Sequence, residues 1–173
     1  KVLAYIVSRF YRETYGMFVT TGIFYNHESP RRPEEYVTRK ITRAVARISL
    51  GLQKVLELGD LSIQIDWGYA KEYMEAAYNI MQQEKPDDYI ICTGEAHSVQ
   101  EFVDGVFRLA NLDPKEYVRV NPKFLRPASN TVLIGDYSKA TRVFGFNPKV
   151  RFKELVKLMV EHDLKEQRER TGG

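Results

Sequence analysis

The sequence predicts an α/β fold, and three observations carry that prediction. Segments with apolar residues at helical spacing alternate with short β-rich apolar runs. Proline, glycine and asparagine clusters punctuate the boundaries between them. No internal repeat, low-complexity tract or flexible linker interrupts the 173 residues.

Taken in order, residues 2 to 15 carry Leu3, Ile6, Val7 and Phe10 on one helical face, with Gly16 as the stop. Met17 to Tyr25 reads as a buried strand, rich in β-branched and aromatic residues. A polar loop follows from Asn26 to Pro33. Val37, Ile41, Ala44, Val45, Ile48, Leu52, Val55 and Leu56 then predict a helix of about 20 residues, closed near Gly59. Asp66-Trp67-Gly68 reads as a turn, and Ala70, Tyr73, Met74, Ala77 and Ile80 as a third helix before Lys85-Pro86-Asp87. Tyr89 to Cys92 is a short apolar strand leading to Gly94. Ser98 with Glu101 three residues on is a capping-box signature before Phe102, Val106 and Leu109. Asn111 to Pro114 stops that helix, Tyr117 to Val120 is strand-like, and Asn121 to Ser129 is an irregular loop. Ser138 to Phe144 reads as a short helix closed by Gly145. A final amphipathic helix opens at Phe152 and runs into the charged tail Lys165 to Arg170.

Composition narrows the function classes. At 43% hydrophobic and 28% charged, the chain is an ordinary globular sequence of one domain, or one and a fraction. A net charge of +3 is too small an excess to argue for nucleic acid. Cys92 is the sole cysteine, which excludes an intramolecular disulfide and multi-cysteine metal sites and points to a reducing cytoplasm. No apolar run approaches the ~20 residues that span a bilayer, so no membrane partner is expected. The glycines form neither a dinucleotide fingerprint nor a P-loop. Together with Lys1 in place of an initiator Met, this absence suggests a chain that begins inside a larger protein.

Asn26-His27-Glu28-Ser29-Pro30-Arg31-Arg32 is the densest cluster of functional side chains. It follows a predicted strand, where open α/β sheets bind ligands. Two arginines offer forked donors to phosphate, and Asn26 and His27 add hydrogen-bonding groups. A solvated charged loop is the competing description. Thr38-Arg39-Lys40 opens the next helix, where a bound anion would account for basic residues that oppose the dipole. Exposed lysine stems covering apolar surface account for them equally. Arg126, framed by Leu125 and Pro127, is either a second phosphate contact or a surface charge. His97 and His162 stand alone, with no His or Cys spaced to complete a metal site. Cys92 lies in an apolar strand as a core residue rather than a nucleophile.

The Asn26 to Arg32 string, followed by Val37-Thr38-Arg39-Lys40-Ile41, resembles the GDP-mannose 4,6-dehydratase family of extended short-chain dehydrogenase/reductases. The resemblance continues through Leu58-Gly59-Asp60-Leu61, Asp66 to Tyr73, Arg126-Pro127, Ile134 to Ala140 and Gly145-Phe146-Asn147-Pro148. It covers essentially the whole chain and matches the C-terminal half of that family. The resemblance implies the second half of a Rossmann-type NAD(P)-binding domain plus a small α/β nucleotide-sugar-binding domain. Residues 1–33 would close the Rossmann part, and 34–173 would be mainly substrate-binding, with 66–94 returning to the main sheet.

The roles the resemblance implies are specific. Lys1 falls at the family's catalytic lysine, which holds the nicotinamide ribose and lowers the pKa of a tyrosine four residues upstream, outside this chain. His27 and Arg32 match NADP contacts. Asn26, Val37, Lys40 and Arg126 match positions lining the nucleotide sugar. The implied reaction converts GDP-mannose to GDP-4-keto-6-deoxymannose, in a homo-oligomer of two or four chains; this chain alone is expected to be inactive. Two positions depart from the family pattern: Ile65 stands where an arginine reaches the substrate phosphates, and Ser129 where a glutamate meets the nucleotide ribose. Pro33 replaces a usual glycine. These departures leave open a related epimerase or reductase, or a non-catalytic sugar-nucleotide-binding fragment.

Overall fold

Parallel strand pairing, rather than local propensity, decides several element boundaries. The computed structural model describes residues 1–125 and 132–172. Arg126 and Ser129 lie outside the described residues. Helix α1 (Val2–Tyr15) ends before Gly16, as its periodicity predicts. The expected buried strand from Met17 to Tyr25 is shorter, with Gly22 and Ile23 exposed, and the expected loop opens with a second strand. Strand β1 (Thr21–Phe24) pairs parallel with β6 (Asp88–Ile91), and β2 (Asn26–Glu28) pairs parallel with β5 (Trp67–Tyr69). Residues before Thr21 have no ladder to join, because their partner begins at Asp88, just after Pro86. Between the strands, Tyr25 N–H donates to Ile91 O at 2.9 Å, and the chain changes partner there.

The predicted 20-residue helix is α2 (Val37–Ile48), 12 residues long. Gly51 adopts a left-handed φ of 71°, and Leu52 N–H returns to Arg47 O, so the helix closes despite later leucines in phase. Leu56–Leu58 instead forms β3, with both leucines buried and Glu57 exposed between them, the period of a strand. It pairs parallel with β8 (Val118–Val120), which follows the one-turn helix α5 (Pro114–Tyr117). Asp66-Trp67-Gly68 is not a turn: Trp67 opens β5, opposite Asn26. A short antiparallel pair joins β4 (Gln64–Ile65) to β7 (His97–Ser98). Helices α3 (Ala70–Met81), α4 (Val99–Leu109) and α6 (Ser138–Phe144) form where predicted, and the Ser98–Glu101 capping box is complete. Helix α7 (Phe152–Thr171) continues through the charged tail. No helix among the described residues is long and apolar enough to cross a membrane.

Two apolar clusters result. The larger packs α2, α4 and α7 with Trp67, and the smaller packs α3 and β6 with Ala140 and Phe146. The α2–α7 interface also buries charge. Asp163, fully buried, accepts from Thr42 Oγ1 at 2.6 Å and from Arg39, while Arg43 donates to Glu166 at 2.7 Å and to Glu34 at 3.0 Å. Helix α1, by contrast, buries no residue. Arg12 ties it down, donating to both oxygens of Asp88 at 2.7 and 2.8 Å and to Val19 O.

Two predictions follow from these charges. Asp163→Ala leaves the buried Arg39 guanidinium with only the looser Glu166 carboxylate at 3.7 Å and should cost about 3 kcal/mol in urea denaturation. The double variant Arg39→Met/Asp163→Leu should recover most of that loss, and a double variant as unstable as the single one would contradict the account. For α1, the Arg12 hydrogen bonds hold the Asp88 carboxyl below its ordinary 3.8. A carboxyl with a lowered folded-state pKa contributes stability above its unfolded value and loses it as pH falls through the folded one. Hydrogen-exchange protection of α1 should therefore fall before that of α2 on acidification below about pH 4. In Asp88→Asn, α1 should already be unprotected at neutral pH.

Candidate active site

The site begins where the chain passes from β1 to β2. Asn26, exposed, and His27, half-buried, face Trp67 and Gly68 across the parallel pair. His27 Nδ1 is 2.8 Å from Tyr25 O. A carbonyl only accepts, so Nδ1 carries the proton, and Nε2 of the neutral ring is an acceptor. The His27 ring lies over Tyr73 at 5.2 Å and edge-on to Phe24 at 6.1 Å. A Cβ at Gly68 would collide with the Tyr73 ring, so the glycine is what allows that ring beneath His27. Burial pushes the Tyr73 phenol pKa up, so it stays protonated and serves as a support for the imidazole.

Glu28 turns inward at the end of β2 and is 2% exposed. Its Oε2 accepts from Thr38 Oγ1 at 2.7 Å and faces Arg32 Nε at 3.4 Å. That second distance is an ionic contact and not an aligned hydrogen bond, consistent with an Nε that has no hydrogen-bond partner. The Arg32 guanidinium stacks over Tyr36, 3.6 Å from its centroid. Its backbone is fixed as well: Arg32 N–H donates to Ser29 O at 2.9 Å, and Arg32 O accepts from Arg39 Nε at 3.2 Å. Among the described residues, both terminal nitrogens of Arg32 are free of protein acceptors. A guanidinium held on two sides with its fork open fits a phosphate.

The first turn of α2 resolves the question raised by Thr38-Arg39-Lys40. The protein's own carboxylates answer two of these residues, Glu28 for Thr38 and Asp163 for Arg39. Lys40 alone is directed to a cleft of about 220 Å³, shared with Glu34, Arg47, Gln53 and Glu57, where its ammonium lies 4.2 Å over the Phe124 ring. Val37, one turn earlier, packs against the larger core. Lys1 is exposed ahead of α1, and Ile65 is half-buried in β4 opposite His97.

Several residues that shape the site escaped the sequence reading. Asp66 is buried and accepts from Thr93 N–H, Thr93 Oγ1, Gly94 N–H and Gly135 N–H at 2.6–3.4 Å. Glu72 accepts from the backbone of Lys149 and Val150. The one available signal was the density of Asp, Gly and Tyr between 66 and 73, which reads as turn chemistry without the tertiary partners. Cys92 is buried, and burial pushes its thiol up to about 12, which leaves it unreactive. His97 stacks on Phe152 at 3.8 Å. His162, Asp163 and Glu166 converge, but Arg39 and Arg43 already neutralise the two carboxylates.

Known proteins place this arrangement. A family model described as GDP-mannose 4,6 dehydratase matches residues 1–159. The chain is 53% identical to GDP-mannose 4,6 dehydratase 2 of Arabidopsis thaliana over 154 residues, covering 89% of this chain and 41% of that protein. It is 41% identical to the Dictyostelium discoideum GDP-mannose 4,6 dehydratase over 181 residues, covering 95% and 51%. The chain thus spans about half the length of these relatives or less. Among solved structures, RMD from Pseudomonas aeruginosa complexed with NADPH superposes with a TM-score of 0.82 at 18% identity, covering 95% of this chain and 54% of that one. A dTDP-glucose 4,6-dehydratase from Bacillus anthracis, in complex with NAD, gives 0.81 at 19%, covering 96% and 50%. These likenesses establish the Rossmann-type α/β fold, and the sequence matches show that the chain belongs to the GDP-mannose 4,6 dehydratase family.

Proposed function

We propose that this chain contributes the cofactor loop and the substrate-lining helix of an NADP-dependent dehydratase that converts GDP-mannose to GDP-4-keto-6-deoxymannose. The observation that carries this reading is Arg32, braced by Glu28 and Tyr36 with its fork open beside β2. Bound nicotinamide supplies the hydride chemistry: oxidation at C4 of the mannosyl ring, and hydride return to C6 once water is lost across C5 and C6. The chain's own residues bind and orient. Arg32 takes a cofactor phosphate, and His27 Nε2 accepts from a cofactor hydroxyl or, once protonated, donates to an oxygen. Asn26, Val37, Lys40 and Arg126 line the sugar nucleotide, with Lys40 facing its diphosphate. Lys1 holds the nicotinamide ribose. In this reading residues 1–33 complete the cofactor domain and 34–173 form mainly the substrate domain, in a cytoplasmic homo-oligomer.

Ile65 favours one second reading. It places an aliphatic side chain, half-buried, where the family resemblance puts an arginine on the substrate phosphates. A different nucleotide sugar, processed by an epimerase or reductase of the same fold, would dispense with that charge.

The test uses the protein expressed from its complete coding sequence and calorimetric titration. Arg32→Ala should weaken NADP by about 1.5–3 kcal/mol and leave GDP-mannose nearly unchanged, whereas Lys40→Ala should do the reverse. If both variants bind both ligands as the parent does, the two cations are surface charges and the site is elsewhere. Ile65→Arg should tighten GDP-mannose. Tighter binding of a CDP- or dTDP-sugar by the parent than of GDP-mannose would instead support the epimerase or reductase reading.

A further inference from the structure

We infer that Glu28 is a positioning residue: its buried carboxylate, held by Thr38 on the first turn of α2, orients the cofactor-contacting Arg32. The inference rests on the functional reading of Arg32 and Lys40 above. It adds a residue that the reading does not require.

The geometry is economical. Oε2 of Glu28 alone meets Thr38 Oγ1 at 2.7 Å and Arg32 Nε at 3.4 Å. Glu28 and Thr38 are almost fully buried, while Arg32 keeps a quarter of its side chain in solvent. A buried carboxylate with one hydrogen bond and one loose ionic contact is a poor source of stability, because desolvation opposes the Coulombic gain. Burial accordingly pushes the Glu28 carboxyl up, with Thr38 and then Arg32 pulling it back down. An apolar side chain would fill the same space without that cost. What an apolar residue cannot do is orient a guanidinium.

Orientation is what Arg32 needs here. Its backbone is set by Ser29 O and by Arg39 Nε, and Arg39 is itself anchored on Asp163 of α7. Tyr36 fixes the plane of the guanidinium but not its rotation within that plane. Glu28 supplies the remaining restraint, drawing Nε inward and turning the two terminal nitrogens outward. The hydroxyl of Thr38 holds the same oxygen from the first turn of α2, one residue from Arg39 and two from Lys40. A shift of that turn therefore moves the carboxylate and, through it, the Arg32 fork.

This role makes a prediction of definite sign. Removing a negative charge beside Arg32 strengthens the local positive potential, so simple electrostatics predicts tighter NADP binding in Glu28→Gln. Positioning predicts weaker binding. In the protein from the complete coding sequence, calorimetric titration of Glu28→Gln should show NADP affinity reduced about tenfold, with GDP-mannose affinity changed far less. In an Arg32→Ala background the same substitution should change NADP affinity by less than about twofold, because the group it orients is gone. Thr38→Val should also weaken NADP, although Thr38 contacts no ligand in this reading, and Thr38→Ser should restore it. Unchanged or tighter NADP binding in Glu28→Gln, or an equal loss in the Arg32→Ala background, overturns the inference. If Glu28→Gln does not fold, the Thr38 pair decides: equal NADP affinity in Thr38→Val and Thr38→Ser overturns it. A parent that binds neither NADP nor GDP-mannose overturns the functional reading itself, a result separable from the others.

Discussion

The carboxylate of Asp66 is the junction on which the β1–β6 and β2–β5 pairs depend. It lies between β4 and β5, yet its four hydrogen-bond donors come from Thr93, Gly94 and Gly135, beyond the end of β6. Strand β5 carries β2 and hence the site loop, while β6 carries β1 and α1. One side chain therefore binds the two parallel pairs to each other. Removing an ionised carboxylate from water costs several kcal/mol, and a charge-assisted hydrogen bond returns roughly 1.5–3 kcal/mol. A single donor would leave Asp66 a liability. Four donors, three of them backbone amides with no strand partner at that point, make burial favourable and satisfy the amides as well.

From that junction the site is built by removing freedom one group at a time. Trp67 packs on Phe102 and Phe152 and seats β5 in the helical core. Gly68 leaves room for the Tyr73 ring, which supports His27, while Tyr25 O fixes the imidazole tautomer. Arg39 and Glu28 then hold the two ends of Arg32. The exposed functional groups are thus rigid because the polar groups behind them are buried and paired, which is the condition for binding a ligand without spending its affinity on ordering the loop.

Much of this was legible in the sequence where the signal was local. The Ser98–Glu101 capping box and the Gly145 stop depend on residues within one turn, and both formed. The Asn26 to Arg32 cluster stands out by side-chain chemistry and by its place after a strand, but chemistry alone left a solvated charged loop as an equal description, and its ligand roles came from the family resemblance. Non-local features were not legible. Leu56 and Leu58 fit the phase of α2, and only their pairing with Val118 and Val120 makes them a strand. Asp66-Trp67-Gly68 has the composition of a turn, and only β2 makes it a strand. The inward roles of Glu28, Arg39 and Asp66 were hidden for the same reason: a charged residue reads as exposed until its buried partner, as many as 124 positions away, is known.

Burial is distributed unequally on the two sides of the Asn26 to Arg32 loop. Behind Lys40, α2 lies in a three-helix cluster whose apolar residues are buried on every face that meets α4 and α7. Before the loop, β1 and β6 form a two-stranded parallel ladder, and α1 leans on it through Arg12 with its apolar residues exposed. Two parallel strands are not self-sufficient, since such sheets rely on both faces being covered. Within this chain, buried apolar contacts are therefore concentrated behind Lys40 and few behind Lys1. Local openings should start at α1 and reach α2 last. Arg32 falls between these regions, with its backbone anchored to the stable helices through Arg39 and its preceding strand paired to β5. The guanidinium is thereby referenced to the buried helical cluster rather than to the β1–α1 side.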